Sequence, residues 1–185
     1  MNPVFPAFQE RIPIVNPLKK NPMEKMITFE KKAYRWMSKN GIVLLRITIG
    51  IVFFWFGVQK FFPGVSTAEE LATRTIEVLT FGLMGRTVSM PLLAIWEVAI
   101  GIIYISGKGL RIGTPLLFLQ MIGTMTPLVF FPADTFTVAP LIPELVGQYI
   151  IKNIIIIAGA MVIGAHNVGL IHLHTEEGAR PTTGQ

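Results

Sequence analysis

Apolar residues dominate four stretches of the chain, 41–62, 88–107, 110–131 and 148–168. Each is long enough to cross a bilayer as a helix, which takes about 20 residues. Hydrocarbon offers the backbone no hydrogen-bond partner, so a spanning segment has to satisfy its own N–H and C=O groups as a helix. The pattern changes between these stretches. Over residues 24–39, Met26, Phe29, Ala33, Trp36 and Met37 fall on one helical face, while Lys25, Lys31, Lys32, Arg35 and Lys39 fall largely elsewhere. This predicts an amphipathic helix on the membrane surface, held by anionic lipid or, in the other reading, by a partner protein. Asn40-Gly41 offers a bend into the first span. Over residues 67–80, Ala68, Leu71, Ala72, Thr75, Ile76 and Leu79 recur at helical spacing after Ser66-Thr67-Ala68-Glu69, which fits a capping box. Residues 132–147 contain Pro132, Pro140 and Pro143 and read as an ordered loop. The predicted fold class is an all-α membrane protein: a four-helix transmembrane bundle with an N-terminal interfacial helix and an external amphipathic helix. Residues 1–40 form an extension, 41–169 the bundle and 170–185 a tail.

Composition strengthens this picture. Hydrophobic residues make up 51% of the chain and charged residues 15%, and the mean hydropathy of +0.57 is high for a soluble domain. The first 40 residues carry no apolar core of the kind a cleavable signal needs, so none is expected. Cysteine is absent, which removes disulfides, thiol redox chemistry, c-type haem attachment and Cys-ligated iron–sulfur clusters from this chain. The net charge of +5 is unevenly placed. Lys19, Lys20, Lys31, Lys32, Arg35 and Lys39 precede the first span, Lys108 and Arg111 flank the second connection, and residues 132–147 hold no Lys or Arg. The positive-inside rule then places both termini in the cytoplasm, with Arg74 and Arg86 running against the bias. Membrane lipids are the expected contact of these basic residues. Nucleic acid is not, because they abut a span and no nucleic-acid motif accompanies them.

Ionisable residues inside the spans mark the candidate site. Glu97 lies in the middle of the second span, where a lone carboxylate costs at least a few kcal/mol unless it is paired, protonated or wetted. Arg46, Gly50, Phe53, Gly57 and Lys60 share one face of the first span. Ala94, Glu97, Gly101 and Tyr104 form a stripe on the second, Gly113, Gln120, Thr124 and Pro127 on the third, and Lys152, Gly159 and His166 on the fourth. Small and polar residues thus share one face of each helix, as the inside of a four-helix bundle requires. The candidate ligand-binding set is Arg46, Lys60, Glu97, Gln120 and Lys152, with Glu97 the candidate catalytic group. By depth, Glu97 can pair with Lys60 or Lys152 from one side or with Arg46 from the other. The plainer reading of the same residues is a buried ion pair that fixes helix register. No metal site is expected: His172 and His174 follow the last span, and with His166 they make a weak ligand set. No phosphate-binding glycine loop or nucleophile elbow is present.

The stretch from Arg46 to Lys60, Arg-Ile-Thr-Ile-Gly-Ile-Val-Phe-Phe-Trp-Phe-Gly-Val-Gln-Lys, resembles the first helix of the DoxX/DoxD-like membrane proteins. Glu97-Val-Ala-Ile-Gly101, followed by Gly107, is similar to that family's pattern in the second helix. The resemblance carries over Arg46, Gly57, Lys60, Glu97 and Gly101, and it implies a four-helix protein of the bacterial inner membrane. Relatives include the membrane subunit of a thiosulfate:quinone oxidoreductase and proteins linked to oxidative-stress complexes. The resemblance therefore implies a subunit associated with a redox or respiratory complex, with quinone as the possible cofactor among Lys60, Glu97, Gln120 and Lys152. The long connection after the first span and the basic extension depart from the short family core. They point instead to attachment: a non-catalytic accessory or assembly subunit bound to other membrane subunits. A small oligomeric transporter is the third reading.

Overall fold

A computed structural model describes residues 22–171. Four helices or helix pairs in it are long and apolar enough to cross a membrane: Met26–Gln59, Arg86–Ser106, Leu110–Phe130 and Leu145–Asn167. The last three lie within a few residues of the stretches marked by hydropathy, because an uninterrupted apolar run has little other way to satisfy its backbone in lipid; the first ends near the expected point but begins well before residue 41.

The first helix, α1, runs Pro22–Gln59. It passes through Asn40-Gly41 without interruption, which corrects the expected bend there. One glycine costs a helix only about 1 kcal/mol relative to alanine, too little to end it. The contacts divide the chain into a unit up to Met37 and a second unit from Ser38 onward. In the first unit Met26, Phe29, Trp36 and Met37 are exposed.

In the second unit, α2 (Glu69–Leu79) follows the first span, and α3 (Arg86–Ser106) is the second span. The third span is α4 (Leu110–Met125) continued by the single turn α5 (Pro127–Phe130). Pro127 has no N–H to offer Gly123, and the carbonyl of Gly123 accepts instead from Thr126 Oγ1 at 2.7 Å. Residues 132–147 hold more structure than the expected loop. A turn of helix, α6 (Pro132–Thr135), leads into a two-stranded antiparallel hairpin, β1 (Phe136–Val138) and β2 (Ile142–Pro143). The last span is α7 (Leu145–Asn167).

The core is the set of small and apolar residues that share the inner faces: Ile49 and Phe53 of α1, Ile100 and Tyr104 of α3, Leu117 and Met121 of α4, and Ala160 and Ile163 of α7. The buried Tyr104 hydroxyl meets Thr114 Oγ1 at 3.2 Å. The opposite faces present Ile51, Trp55, Ile95, Ile102, Ile122 and Ile155, as lipid-facing surfaces do. The α2 face departs from expectation. Glu69, Thr73 and Thr75 are buried, while Ala68 and Leu79 are exposed. The threonines tolerate burial because each hydroxyl donates to the carbonyl four residues back, Glu69 and Leu71 respectively.

Candidate functional site

Glycine sets the distance between α1 and α3. A Cβ built on Gly101 would stand 2.6 Å from the backbone nitrogen of Phe54, and one on Gly50 2.7 Å from that of Ile105. A Cβ on Gly57 would meet Glu97 Cβ and the backbone nitrogen of Val98, both at 2.9 Å. No side chain fits at these points, so the two backbones lie against each other. This approach places Gly57 against the base of the Glu97 side chain, at Cβ.

Lys60 follows Gly57 by less than one turn, just beyond the end of α1. Its Nζ donates to Glu97 Oε2 at 2.6 Å, with a longer contact of 3.3 Å to the Phe56 carbonyl. From α4, Gln120 Nε2 donates to Glu97 Oε1 at 2.9 Å. Both oxygens of the carboxylate are therefore occupied, by an ammonium and a carboxamide from different helices. The side chains of Lys60 and Glu97 are only 8% and 10% exposed. Among the described residues, no buried side-chain nitrogen or oxygen lacks a partner. Nearby, Trp96 Nε1 reaches the Leu116 carbonyl at 3.3 Å and ties α3 to α4 at the same level.

The other expected site residues lie elsewhere. Arg46 caps the far end of α3, where Nη1 donates to the Tyr104 carbonyl at 2.6 Å and to that of Ile105 at 3.1 Å. These are last-turn carbonyls that the helix leaves unpaired. Gly107 ends that helix in the left-handed region at φ 74°, under the same guanidinium. Lys152 is exposed, with Nζ 5.3 Å from the centre of the Tyr149 ring. His166 is exposed in the last turn of α7, and His172 and His174 lie outside the described residues. Of the three cations that could have paired with Glu97, the fold delivers Lys60.

The family model described as DoxX matches residues 41–133, half of the chain. The chain belongs to the DoxX family. No curated protein and no solved structure matches it. The matched segment of this DoxX protein holds the whole cluster of Lys60, Glu97 and Gln120, together with Gly57 and Gly101. The fourth span, α7, lies beyond it.

Two further polar groups order the connection that carries α2. Glu69 forms no capping box. Ala68 occupies the N-cap position, and no side chain caps the helix. The Glu69 carboxylate instead accepts from the Gly64 N–H at 2.7 Å and from Arg86 Nε at 2.9 Å, with Arg86 Nη2 on the same oxygen as Nε. One side chain thereby links the turn after α1, the start of α2 and the start of α3. Arg74 donates to Asp134 at 2.7 Å and lies 4.5 Å from the centre of the Phe131 ring, joining α2 to the end of the third span. Neither pair was read from the sequence. The available signal was that Arg74 and Arg86 broke the charge bias, which asks for a local carboxylate.

The hydrogen bond from Gly64, and after it the Arg86 guanidinium, hold the Glu69 carboxyl below the usual carboxylate range. A group whose value is lowered by folding contributes stability that is complete above the ordinary glutamate value of about 4.3. That contribution fades as pH falls through the lowered value. A nitroxide on Glu70→Cys in this cysteine-free chain should be equally immobile at pH 7 and pH 5 and should gain mobility only on acidification below the ordinary glutamate value of about 4.3. With Glu69→Gln it should be mobile throughout. A Glu69→Gln spectrum as immobile as the parent's at pH 7 would contradict this role for Glu69.

Proposed function

We propose that this DoxX protein is an integral subunit of a redox or respiratory complex in a bacterial inner membrane, and that its contribution there is non-catalytic. The observation that carries this reading is the closed state of the buried cluster. Lys60 and Gln120 supply the donor chemistry that a quinone headgroup would need, yet each directs a donor to Glu97, and both carboxylate oxygens are engaged. The Lys60 and Glu97 side chains are buried, and Gly57 packs against Glu97 at Cβ. The donors are turned to the carboxylate, so no step is assigned to a quinone. A buried ion pair of this kind holds three helices in one register. The family supports a redox setting, and the long α2 connection and the basic N-terminal extension offer two surfaces for attachment.

The test is purification of the tagged full chain from native membranes in mild detergent. Subunits bearing haem, flavin or iron–sulfur absorbance should accompany it, and deletion of Met1–Met23 should reduce them while the bundle stays folded. Recovery of the chain alone with one equivalent of extractable quinone would overturn the reading in favour of a quinone-binding protein.

Both termini are proposed to be cytoplasmic. Lys60, Arg74 and Arg86, on one side of the bundle, each meet a carboxylate, which reduces their weight in the charge bias. Lys108 and Arg111, at the opposite end, take part in no ion pair among the described residues. In intact spheroplasts, a membrane-impermeant maleimide should label Thr137→Cys and spare Lys108→Cys. The reverse pattern would invert the topology.

A further inference from the structure

On the side of the bundle where α2 lies, a cleft of about 420 Å³ is lined by Arg74, Glu77, Val78, Phe81, Gly82 and Phe131. Arg74, Glu77 and Val78 follow the i, i+3, i+4 spacing of one face of α2, and Phe81 stands just past its C-terminus. Phe131 closes the cleft from the other side, immediately after the third span ends at Phe130.

The C-terminus of α2 fixes the aromatic rim. Gly82 N–H bonds the Glu77 carbonyl at 2.7 Å and Phe81 N–H bonds that of Val78 at 3.2 Å, a complete Schellman turn. Such a turn needs a left-handed residue, usually glycine, at the position Phe81 occupies. Phe81 has φ 53°, the only positive φ of a non-glycine residue among those described. The ring is 95% exposed. A strained backbone here projects an aromatic side chain away from the protein.

The polar groups of the cleft are complementary in sign. Arg74 is held between Asp134 and the Phe131 ring, and its pairing with Asp134 uses Nη1 alone. The rest of its five-donor fork can serve another acceptor. Glu77, one turn along, forms no side-chain hydrogen bond or ion pair among the described residues. The two side chains are neighbours on the helix, with Cβ atoms about 5–6 Å apart. The depth is that of lipid headgroups, because α2 is tied through Glu69 to Arg86 at the start of one span and through Arg74 to Asp134 just past the end of another.

We propose that this cleft binds the headgroup of an aminophospholipid. The phosphate meets Arg74, the primary ammonium meets Glu77, and an acyl chain passes along Val78, Phe81 and Phe131. The two-carbon link between phosphate and amine matches one turn of helix. Phosphatidylcholine keeps the charges but has no N–H to donate, and phosphatidylglycerol has no cation for Glu77. This site is independent of the buried cluster and of the proposed role in a complex.

Native mass spectrometry of the full chain in detergent, titrated separately with dioleoyl phosphatidylethanolamine, phosphatidylcholine and phosphatidylglycerol, tests the assignment. Phosphatidylethanolamine should bind about fivefold more tightly than either of the others, about the net worth of one hydrogen bond from its ammonium to Glu77. Glu77→Gln should abolish that preference. Arg74→Gln should weaken all three lipids alike. Asp134→Asn, which breaks the same ion pair but keeps the guanidinium, should retain the preference and so separates lipid binding from folding. Soluble phosphoethanolamine at equal concentration should leave the lipid bound. Equal binding of the three lipids, a preference that survives Glu77→Gln, or displacement by phosphoethanolamine would overturn the proposal.

Discussion

Lys60→Met should destabilise the bundle by about 3–5 kcal/mol, the usual cost of stripping one partner from a buried ion pair. Glu97 would be left among α1, α3 and α4 with only Gln120 as a donor. Glu97→Gln should cost less, because a carboxamide can still accept from Gln120, and the long stem of Lys60 lets its ammonium swing toward the headgroups. The double variant Lys60→Met with Glu97→Leu removes both charges and should recover most of the loss. Unfolding of the parent, Lys60→Met, Glu97→Leu and the double variant in mixed micelles closes the cycle. Coupling well above 1 kcal/mol is expected, and additive single losses would show that the pair does not hold the helices.

Gly101→Leu should have a comparable or larger effect for a steric reason. At this position even a Cβ stands 2.6 Å from a backbone nitrogen of α1, and backbone cannot yield as a side-chain tip can. The two helices must separate, and the separation also pulls Lys60 from Glu97. Gly101→Ala already requires a shift and should cost about 1–3 kcal/mol. Gly123 supplies the control. A Cβ there meets nothing within 4 Å, so Gly123→Ala should be neutral or stabilising by about 0.5–1 kcal/mol through its better helix propensity. The same unfolding assay reads the contrast. Equal responses at Gly101 and Gly123 would contradict the close crossing of α1 and α3.

The spans were legible because a long apolar run in lipid has one backbone solution. Glu97 was legible for the related reason that a central carboxylate demands company. Its partner was not, since Lys60 and Lys152 both sit near span ends at similar depth. Gly57 settles the matter by bringing α1 against α3, and that contact depends on how helices choose neighbours, which periodicity within one helix does not encode. Gln120 was found as part of a polar stripe, without the knowledge that its amide would take the second carboxylate oxygen. Two local signals misled. Ser66 and Glu69 have capping-box spacing, but Arg86 and the Gly64 N–H outcompete the cap for the carboxylate. Asn40-Gly41 looks like a breaker, yet the residues on both sides favour helix and carry it through. The hairpin of β1 and β2 was hidden because it is short, rich in proline and without the alternation that marks longer strands. Arg46 was seen as a polar residue in a span, while its actual partners are backbone carbonyls that side-chain patterns do not report.

The central claim is that Glu97 is a closed, paired carboxylate inside the bundle. Magic-angle-spinning NMR of the full chain in bilayers, labelled with 15N-lysine and 13C-glutamate, tests it directly. A correlation between Lys60 Nζ and Glu97 Cδ that is strong at neutral pH, and that disappears in both Lys60→Met and Glu97→Gln, is the expected result. A Lys60 ammonium that correlates only with water or lipid phosphate in the wild-type protein would contradict it.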